Sequence, residues 1–201
     1  MPQVSRWGRT RGYDGGMSES ETVARLQRMV DDFGADVEAV QVGLADARTP
    51  EGGRRALGAA LIYVVDRFDL VPDHVPGLGV ADDAAVLRLA AKIAVSYGAD
   101  DAGLRRLAGE AAHLSEVFAD LLGPLEEYLN QLQWHAAPGK TPADVIADPE
   151  TRVQLWRDLG IKLRDYKPAP LVSEMHGDAP AVLRILRRLV RARLQKAGVV
   201  A

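Results

Sequence analysis

Four acidic side chains stand close together in one short stretch of the chain: Asp69, Asp73, Asp82 and Asp83. Carboxylate oxygens are the ligands that hard divalent cations such as Mg²⁺ and Ca²⁺ prefer. His74 stands in the same stretch, but the spacing does not match an EF-hand loop. Arg67 and Arg88 are close enough in sequence to neutralise the carboxylates without a metal. Two interpretations therefore stay open, a Mg²⁺ or Ca²⁺ site and a set of carboxylates with structural partners.

The same stretch has the features of a rigid connection between two helices. Pro72 and Pro76 each fix φ and lack a backbone donor, so a helix cannot continue through them. Gly77 and Gly79 permit the positive φ that a sharp reversal of the chain requires. The last two aspartates fall in the first turn of the following helix, where the helix dipole favours a negative charge. On this interpretation the aspartates brace a connector.

Tyr63 opens a signature that continues as Asp-Leu-Val-Pro-Asp, then Pro-Gly-Leu-Gly, then Asp-Asp. This pattern resembles the YkvA-like family, whose domain has no established activity. The matching positions are Tyr63, Asp69, Leu70, Pro72, Asp73, Pro76, Leu78, Gly79, Asp82 and Asp83. The resemblance covers residues 54–96 and implies a helical hairpin. Some members of the family are thought to be membrane-associated, so the resemblance also implies an association with a membrane.

Two sets of apolar residues spaced alternately by three and four predict two long helices. The first set follows Ser18 and Glu21, which have the spacing of a capping box. It comprises Val23, Leu26, Val30, Phe33, Val37, Val40 and Leu44. The second comprises Leu104, Leu107, Ala111, Leu114, Phe118, Leu121, Leu125, Tyr128 and Leu132. Such heptad seams are typical of helices packed along their length, so packing within the chain and self-association are both open.

The segment between the two seams is predicted to form the centre of the fold. A helix from Asp82 to Tyr97 is apolar nearly all round, which indicates burial. Thr141-Pro142 and Asp148-Pro149 open two further helices, and no convincing alternating strand pattern is present. The sequence therefore predicts an all-α helical bundle with a central hairpin at residues 54–96, flanked by the two long helices.

The domain organisation follows from composition. Residues 1–17 predict a flexible basic tail, and Met17 is a candidate translation start. Residues 18–166 predict the helical domain, and residues 167–177 a proline-rich linker. Residues 178–201 predict a basic amphipathic helix.

The C-terminal helix interleaves apolar and basic residues. Its basic side chains are Arg184, Arg187, Arg188, Arg191, Arg193 and Lys196. Three interpretations fit the pattern: the apolar stripe packs on the domain, the helix lies on an anionic membrane surface, or it binds an acidic partner. The helix carries no aromatic residue on which a base would stack, which argues against nucleic acid as a partner.

Composition excludes several classes of function. The chain has 201 residues, no cysteine and a net charge of −3, which excludes disulfide scaffolds, thiol catalysis and generic nucleic-acid binding. The longest uncharged apolar run, Ala56 to Val65, has half of the roughly 20 residues that a membrane span needs. Neither a nucleophile elbow nor a P-loop is present.

The sequence therefore predicts a non-enzymatic, cytoplasmic scaffold or adaptor. Its expected partners are another protein, a second copy of itself through the heptad seams, or an anionic membrane surface at which it is peripheral. The alternative is a divalent-metal-binding module or metal-dependent enzyme that uses the four clustered aspartates. No cofactor is expected on the first interpretation, and Mg²⁺ or Ca²⁺ on the second.

Overall fold

A computed structural model describes residues 17–66, 70–72, 74–134 and 140–200. In these ranges the chain forms helices and connecting turns without a sheet, so the all-α prediction is confirmed. Within the same ranges, no helix is both long and apolar enough to cross a bilayer. Residues 1–16, most of the predicted basic tail, lie outside the described residues.

Ten α-helices follow one another in the described residues. They are α1 (Glu19–Asp31), α2 (Phe33–Ala45), α3 (Glu51–Val65), α4 (Ala81–Ser96), α5 (Ala102–Glu110), α6 (Leu114–Phe118), α7 (Leu122–Leu132), α8 (Pro142–Ala147), α9 (Pro149–Asp165) and α10 (Ala179–Lys196). Short 3₁₀ turns lie at Leu78–Val80, Ala111–His113 and Ala119–Leu121.

Helices α3 and α4 form the predicted hairpin at the centre of the molecule. Most residues of both helices are buried, which agrees with the nearly all-apolar sequence of α4. Helices α2, α7, α8 and α9 pack around α3, while α1, α2, α5 and α7 pack around α4. Small residues allow the close approach of the pair, because a Cβ on Gly53 would lie 3.1 Å from Cα of Ala94.

The first heptad seam is divided between two helices, so the prediction of one long helix there is wrong. The capping box of Ser18 and Glu21 opens α1 as expected. Helix α1 ends at Asp31. Asp32, with a φ of −85° and a ψ of 0°, separates it from α2. Aspartate has a low helix propensity, and Gly34 two residues later weakens the helix further. The seam residues on both sides of the break are nevertheless buried.

The second seam is also divided, into α5, α6 and α7, with 3₁₀ turns between them. Pro124 lies within this seam, and its missing amide favours a kink or a new helix at that position, whereas α7 begins two residues earlier, at Leu122. A proline is tolerated in the first turn of a helix, because the amide that it lacks has no partner there. The break lies at Ala119, which has a φ of 52°.

Helix α10 belongs to the same core as the rest of the bundle. It packs against α1, α6 and α7. Its buried apolar residues are Val182, Leu183, Leu186, Val190 and Leu194. Of the three interpretations of this helix, intramolecular packing of the apolar stripe is therefore the one that the structure shows.

The proline-rich segment before α10 is fastened to α1. The amide of Leu171 donates to Oε1 of Gln27 at 2.7 Å, and Nε2 of Gln27 donates to the carbonyl of Ala169 at 3.3 Å. The hydroxyl of Tyr166 donates to the carbonyl of Val30 at 2.6 Å. These bonds satisfy backbone groups that a packed extended segment would otherwise leave unpaired.

Candidate functional site

Two buried side chains of the sequence signature fasten the central hairpin. The hydroxyl of Tyr63, in the last turn of α3, donates to Oδ2 of Asp82 in the first turn of α4, at 2.5 Å. The same hydroxyl accepts from the amide of Leu70 at 2.8 Å, and Oδ2 of Asp82 also accepts from the amide of Val71 at 3.0 Å. The pair therefore joins both helices to the connector between them.

The surroundings of this pair set its protonation. Burial raises the pKa of Asp82 from its ordinary 3.8 to about 6, although the hydrogen bonds from Tyr63 and from the amide of Val71 oppose the rise. Burial also raises the pKa of Tyr63 well above its ordinary value, and the nearby charges of Asp82 and Asp83 raise it further. A phenol that stays protonated remains available as the donor to Asp82.

The second aspartate of the Asp-Asp pair serves another contact. Oδ2 of Asp83 lies 2.9 Å from Nζ of Lys162, which is on α9. Asp83 is completely buried and the Lys162 side chain is 18% exposed. The ion pair therefore ties α9 to the first turn of α4, and the two neighbouring aspartates have different partners.

The structure describes two of the four predicted metal ligands. Asp69 and Asp73 lie outside the described residues. Asp82 and Asp83 are buried and engaged with the tyrosine and the lysine described above. Among the residues that the structure describes, no group of three histidine, cysteine, aspartate or glutamate residues is placed to hold a metal ion.

The connector uses only one of its two glycines for positive φ. Gly77 has a φ of 74°, and a Cβ there would lie 3.1 Å from the carbonyl oxygen of Ala169. Gly79 lies in the 3₁₀ turn and donates its amide to the carbonyl of Val75 at 2.9 Å. The amide of Val75 in turn donates to the carbonyl of Pro72 at 2.9 Å. The prolines and glycines thus build tight turns, as the connector interpretation expects.

Sequence reasoning missed a buried ionic network that joins α2, α4 and α5. Arg88 is completely buried, and its Nη2 lies 2.9 Å from Oδ2 of Asp36 and 2.7 Å from Oε2 of Glu110. Arg106 adds contacts of 2.6 Å to Asp36 and 2.9 Å to Glu110. The sequence suggested Arg88 as a neutralising partner of the clustered aspartates. In the structure Arg88 pairs with Asp36 and Glu110. The available signal was an arginine within an otherwise apolar helix, since a buried charge requires a counter-charge.

The pKa values of the two acids in this network are shifted in opposite directions. Burial raises the pKa of Asp36 against the opposing attraction of Arg88 and Arg106. Burial also acts to raise the pKa of Glu110, but the charge of Arg88 and the hydrogen bonds from Arg106 and Arg88 outweigh it and the pKa is lowered. The difference follows from exposure, because the Asp36 side chain is fully enclosed while that of Glu110 is 32% exposed.

A concave surface of about 480 Å³ lies between α10 and the turn at Ala119–Leu121, and we name it the arginine groove. Its lining comprises Ala119, Asp120, Arg184, Arg187, Arg188, Arg191, Ala192 and Gln195. Four of the six basic residues that the sequence singled out in this helix therefore meet on one concave surface.

The arginines of this groove divide into two kinds. Arg187 donates to the carbonyls of Val117 at 2.8 Å and of Glu116 at 2.7 Å. Arg191 pairs with Asp120 at 2.6 Å. These two arginines therefore hold α10 to α6 and to the turn after it.

Arg184 and Arg188 are one turn apart and exposed. Within the described part of the chain, neither has an acidic partner within ion-pair distance. Arg193 is half-buried and Lys196 is exposed, and both lie outside the lining of the groove. As far as the described residues go, Arg184 and Arg188 are thus the charged side chains of the groove that can meet a ligand.

The fold and the fastened connector define a class, an all-α domain built around a helical hairpin with buried tyrosine and aspartate partners. Residues 54–89 match the family model described as "Protein of unknown function (DUF1232)", which is the YkvA-type domain. The resemblance that the signature predicted is therefore confirmed for this segment, which spans most of α3, the connector and the first half of α4. The comparisons with curated proteins and with solved structures gave no match.

Proposed function

We propose that this protein is a non-enzymatic binding module that docks an acidic segment of a partner protein in the arginine groove. The observation that carries the proposal is the pair Arg184 and Arg188, which are exposed, one turn apart and without an acidic partner in the described residues. The signature segment then acts as the frame that holds the bundle together.

The charge balance of the groove favours an anionic segment. Among the described residues that line it, four are arginines and one is an acid, Asp120. A guanidinium binds a carboxylate through two parallel hydrogen bonds. Because Arg184 and Arg188 lie one helical turn apart, they can each bind an acidic side chain of one extended chain. The concave shape of the groove suits a peptide segment better than it suits a partner with a flat surface.

A membrane surface is the weaker candidate, because the apolar stripe of α10 is already used. An interfacial helix anchors itself by burying its apolar face in lipid. Releasing Leu186 or Val190 from the core would cost about 1.5–3 kcal/mol per side chain. The exposed basic residues would return only about 1 kcal/mol each near an anionic leaflet.

The signature residues support a structural role over catalysis. Tyr63, Asp82 and Asp83 are fully or almost fully buried, and each is bonded within the protein. A catalytic acid or base must reach its substrate, directly or through one water molecule. A Mg²⁺ or Ca²⁺ site on the four aspartates stays an alternative prediction, which depends on Asp69 and Asp73.

The proposal is tested by fluorescence anisotropy with a labelled glutamate-rich peptide. We expect saturable binding that weakens as salt is added, because exposed charges are screened. The double variant Arg184→Gln/Arg188→Gln should lose binding. The control Arg157→Gln/Arg164→Gln removes two exposed arginines from α9 and changes the net charge equally, so it should bind like the wild type.

Equal binding by both variants would show non-specific attraction and overturn the proposal. Absence of peptide binding, together with flotation on phosphatidylglycerol vesicles that requires the same two arginines, would assign the groove to a membrane surface instead. Both experiments use the full chain.

A further inference from the structure

One arginine of the arginine groove is already occupied by an acid of the same chain. Nη2 of Arg191 lies 2.6 Å from Oδ2 of Asp120, which belongs to the 3₁₀ turn Ala119–Leu121. A carboxylate of a docked segment would bind Arg191 in the same way, through charge-assisted hydrogen bonds to the guanidinium. Asp120 and an acidic ligand therefore compete for Arg191.

The ion pair of Arg191 and Asp120 is open to solvent on both sides. The side chains of the two residues are 49% and 70% exposed, respectively. Within the part of the chain that the structure describes, neither side chain has a second ionic partner. An ion pair in contact with solvent contributes little to stability, because water and dissolved ions screen it. A carboxylate of a ligand that replaces Asp120 would therefore keep Arg191 paired at little cost to the fold.

Arg187 differs from Arg191 in this respect. It is half-buried and donates to two backbone carbonyls, those of Val117 and Glu116. A backbone carbonyl cannot turn away from its donor as an exposed aspartate side chain can, and a carbonyl left unpaired away from water is costly. Among the described arginines of the groove, Arg191 is therefore the one that can exchange its partner for a ligand.

Arg184, Arg188 and Arg191 lie on one face of α10, because positions i, i+4 and i+7 fall within about 60° of one another around a helix. Along the helix axis, the second and third arginines follow the first at about 6 and 10 Å. In an extended chain, side chains on one side follow one another at about 7 Å. An extended segment with an acid at every second position can thus present three carboxylates to these three arginines, since long arginine side chains absorb the small difference in spacing.

We infer, on the basis of the proposed function, that the partner segment carries an acid at every second position and that its third acid displaces Asp120 from Arg191. Two of its acids bind Arg184 and Arg188, which are exposed and have no acidic partner in the described residues. Arg191 becomes the third anchor only when Asp120 turns away to solvent. Asp120 is thus an internal competitor that lowers the affinity of the groove.

The test compares two labelled peptides by fluorescence anisotropy with the full chain, Glu-Ser-Glu-Ser-Glu and Glu-Ser-Glu-Ser-Gln. Asp120→Asn should tighten binding of the three-acid peptide about two- to fivefold, which is the fold-change that corresponds to one surface ion pair. It should change binding of the two-acid peptide less, because that peptide is held by Arg184 and Arg188. The control Glu38→Gln removes an exposed acid of α2 outside the groove and changes the net charge equally, so it should bind both peptides like the wild type.

A second variant tests the role of Arg191 directly. Arg191→Gln should bind the three-acid peptide no more tightly than the two-acid peptide, and thermal unfolding checks that each variant is folded. If the wild type binds through Arg184 and Arg188 but Asp120→Asn has no effect, or tightens both peptides equally, the inference is overturned and the proposed function stands. Absence of peptide binding by the wild type and by Asp120→Asn would overturn both.

Discussion

At the scale of single residues, the pair Tyr63 and Asp82 explains why the signature contains these two side chains nineteen positions apart. One hydroxyl and one carboxylate oxygen satisfy two amides of the connector, those of Leu70 and Val71. The connector could be predicted from its prolines and glycines. The pair could not, because its two members come from different helices and only the fold brings them together.

The first prediction concerns the tyrosine hydroxyl. Tyr63→Phe keeps the ring but leaves the amide of Leu70 and one carboxylate bond of Asp82 unsatisfied in the interior. We expect the free energy of unfolding to fall by about 1–3 kcal/mol in urea denaturation. Tyr97→Phe is the control, because Tyr97 is 58% exposed, and its effect should stay within about 0.5 kcal/mol. Equal effects of the two variants would contradict a structural role for the hydroxyl.

The second prediction follows from the raised pKa of Asp82. The folded protein holds this proton up to about pH 6, whereas the unfolded chain releases it near the ordinary value of 3.8. The stability gained from proton binding is thus complete below pH 3.8 and is lost as the pH rises through 6. The free energy of unfolding of the wild type should therefore fall between about pH 4 and 6 relative to that of Asp82→Asn. Parallel pH profiles of the two proteins would argue against this shift.

At the scale of elements, helix starts were predictable and helix breaks were not. Asp148 and Asp178 cap α9 and α10 through their side chains, as their positions before a proline-containing first turn indicate. The seams remain in register across the breaks at Asp32 and Ala119, because the buried side chains keep one face inward on both sides. Apolar spacing therefore records which face is buried, and it does not record whether the helix is continuous.

The third prediction uses the break at Ala119. A φ of 52° with a ψ of −122° is an unfavourable conformation for alanine and an accessible one for glycine. Ala119→Gly should therefore raise the free energy of unfolding by roughly 1 kcal/mol. Ala192→Gly, at an exposed position within α10, should lower it by about the same amount. Chemical denaturation of both variants checks the opposite signs, and destabilisation by both would contradict the backbone assignment.

At the scale of the whole molecule, the basic C-terminal helix is joined to the rest of the bundle. Arg187 and Arg191 connect α10 to the carbonyls at the end of α6 and to Asp120. The sequence predicted an amphipathic helix here and left three interpretations open for it. Only the packed bundle shows that this face is covered by α1, α6 and α7.

The fourth prediction tests the integration of α10. Leu186 is fully buried, so Leu186→Ala should lower the free energy of unfolding by about 2–5 kcal/mol. Arg188→Ala on the outer face should change it by no more than about 0.5 kcal/mol. Urea unfolding of the two variants makes the comparison. A small effect of Leu186→Ala would mean that the helix is not held in the core.

The central claim is that α10 stabilises the fold with one face and binds an acidic partner with the other. It is tested most directly by measuring thermal unfolding and anisotropy of the labelled glutamate-rich peptide on the same sample of Arg184→Gln/Arg188→Gln. We predict an unfolding temperature equal to that of the wild type together with loss of peptide binding. Peptide binding that survives in the folded variant, or that disappears only because the unfolding temperature also drops, would contradict the claim.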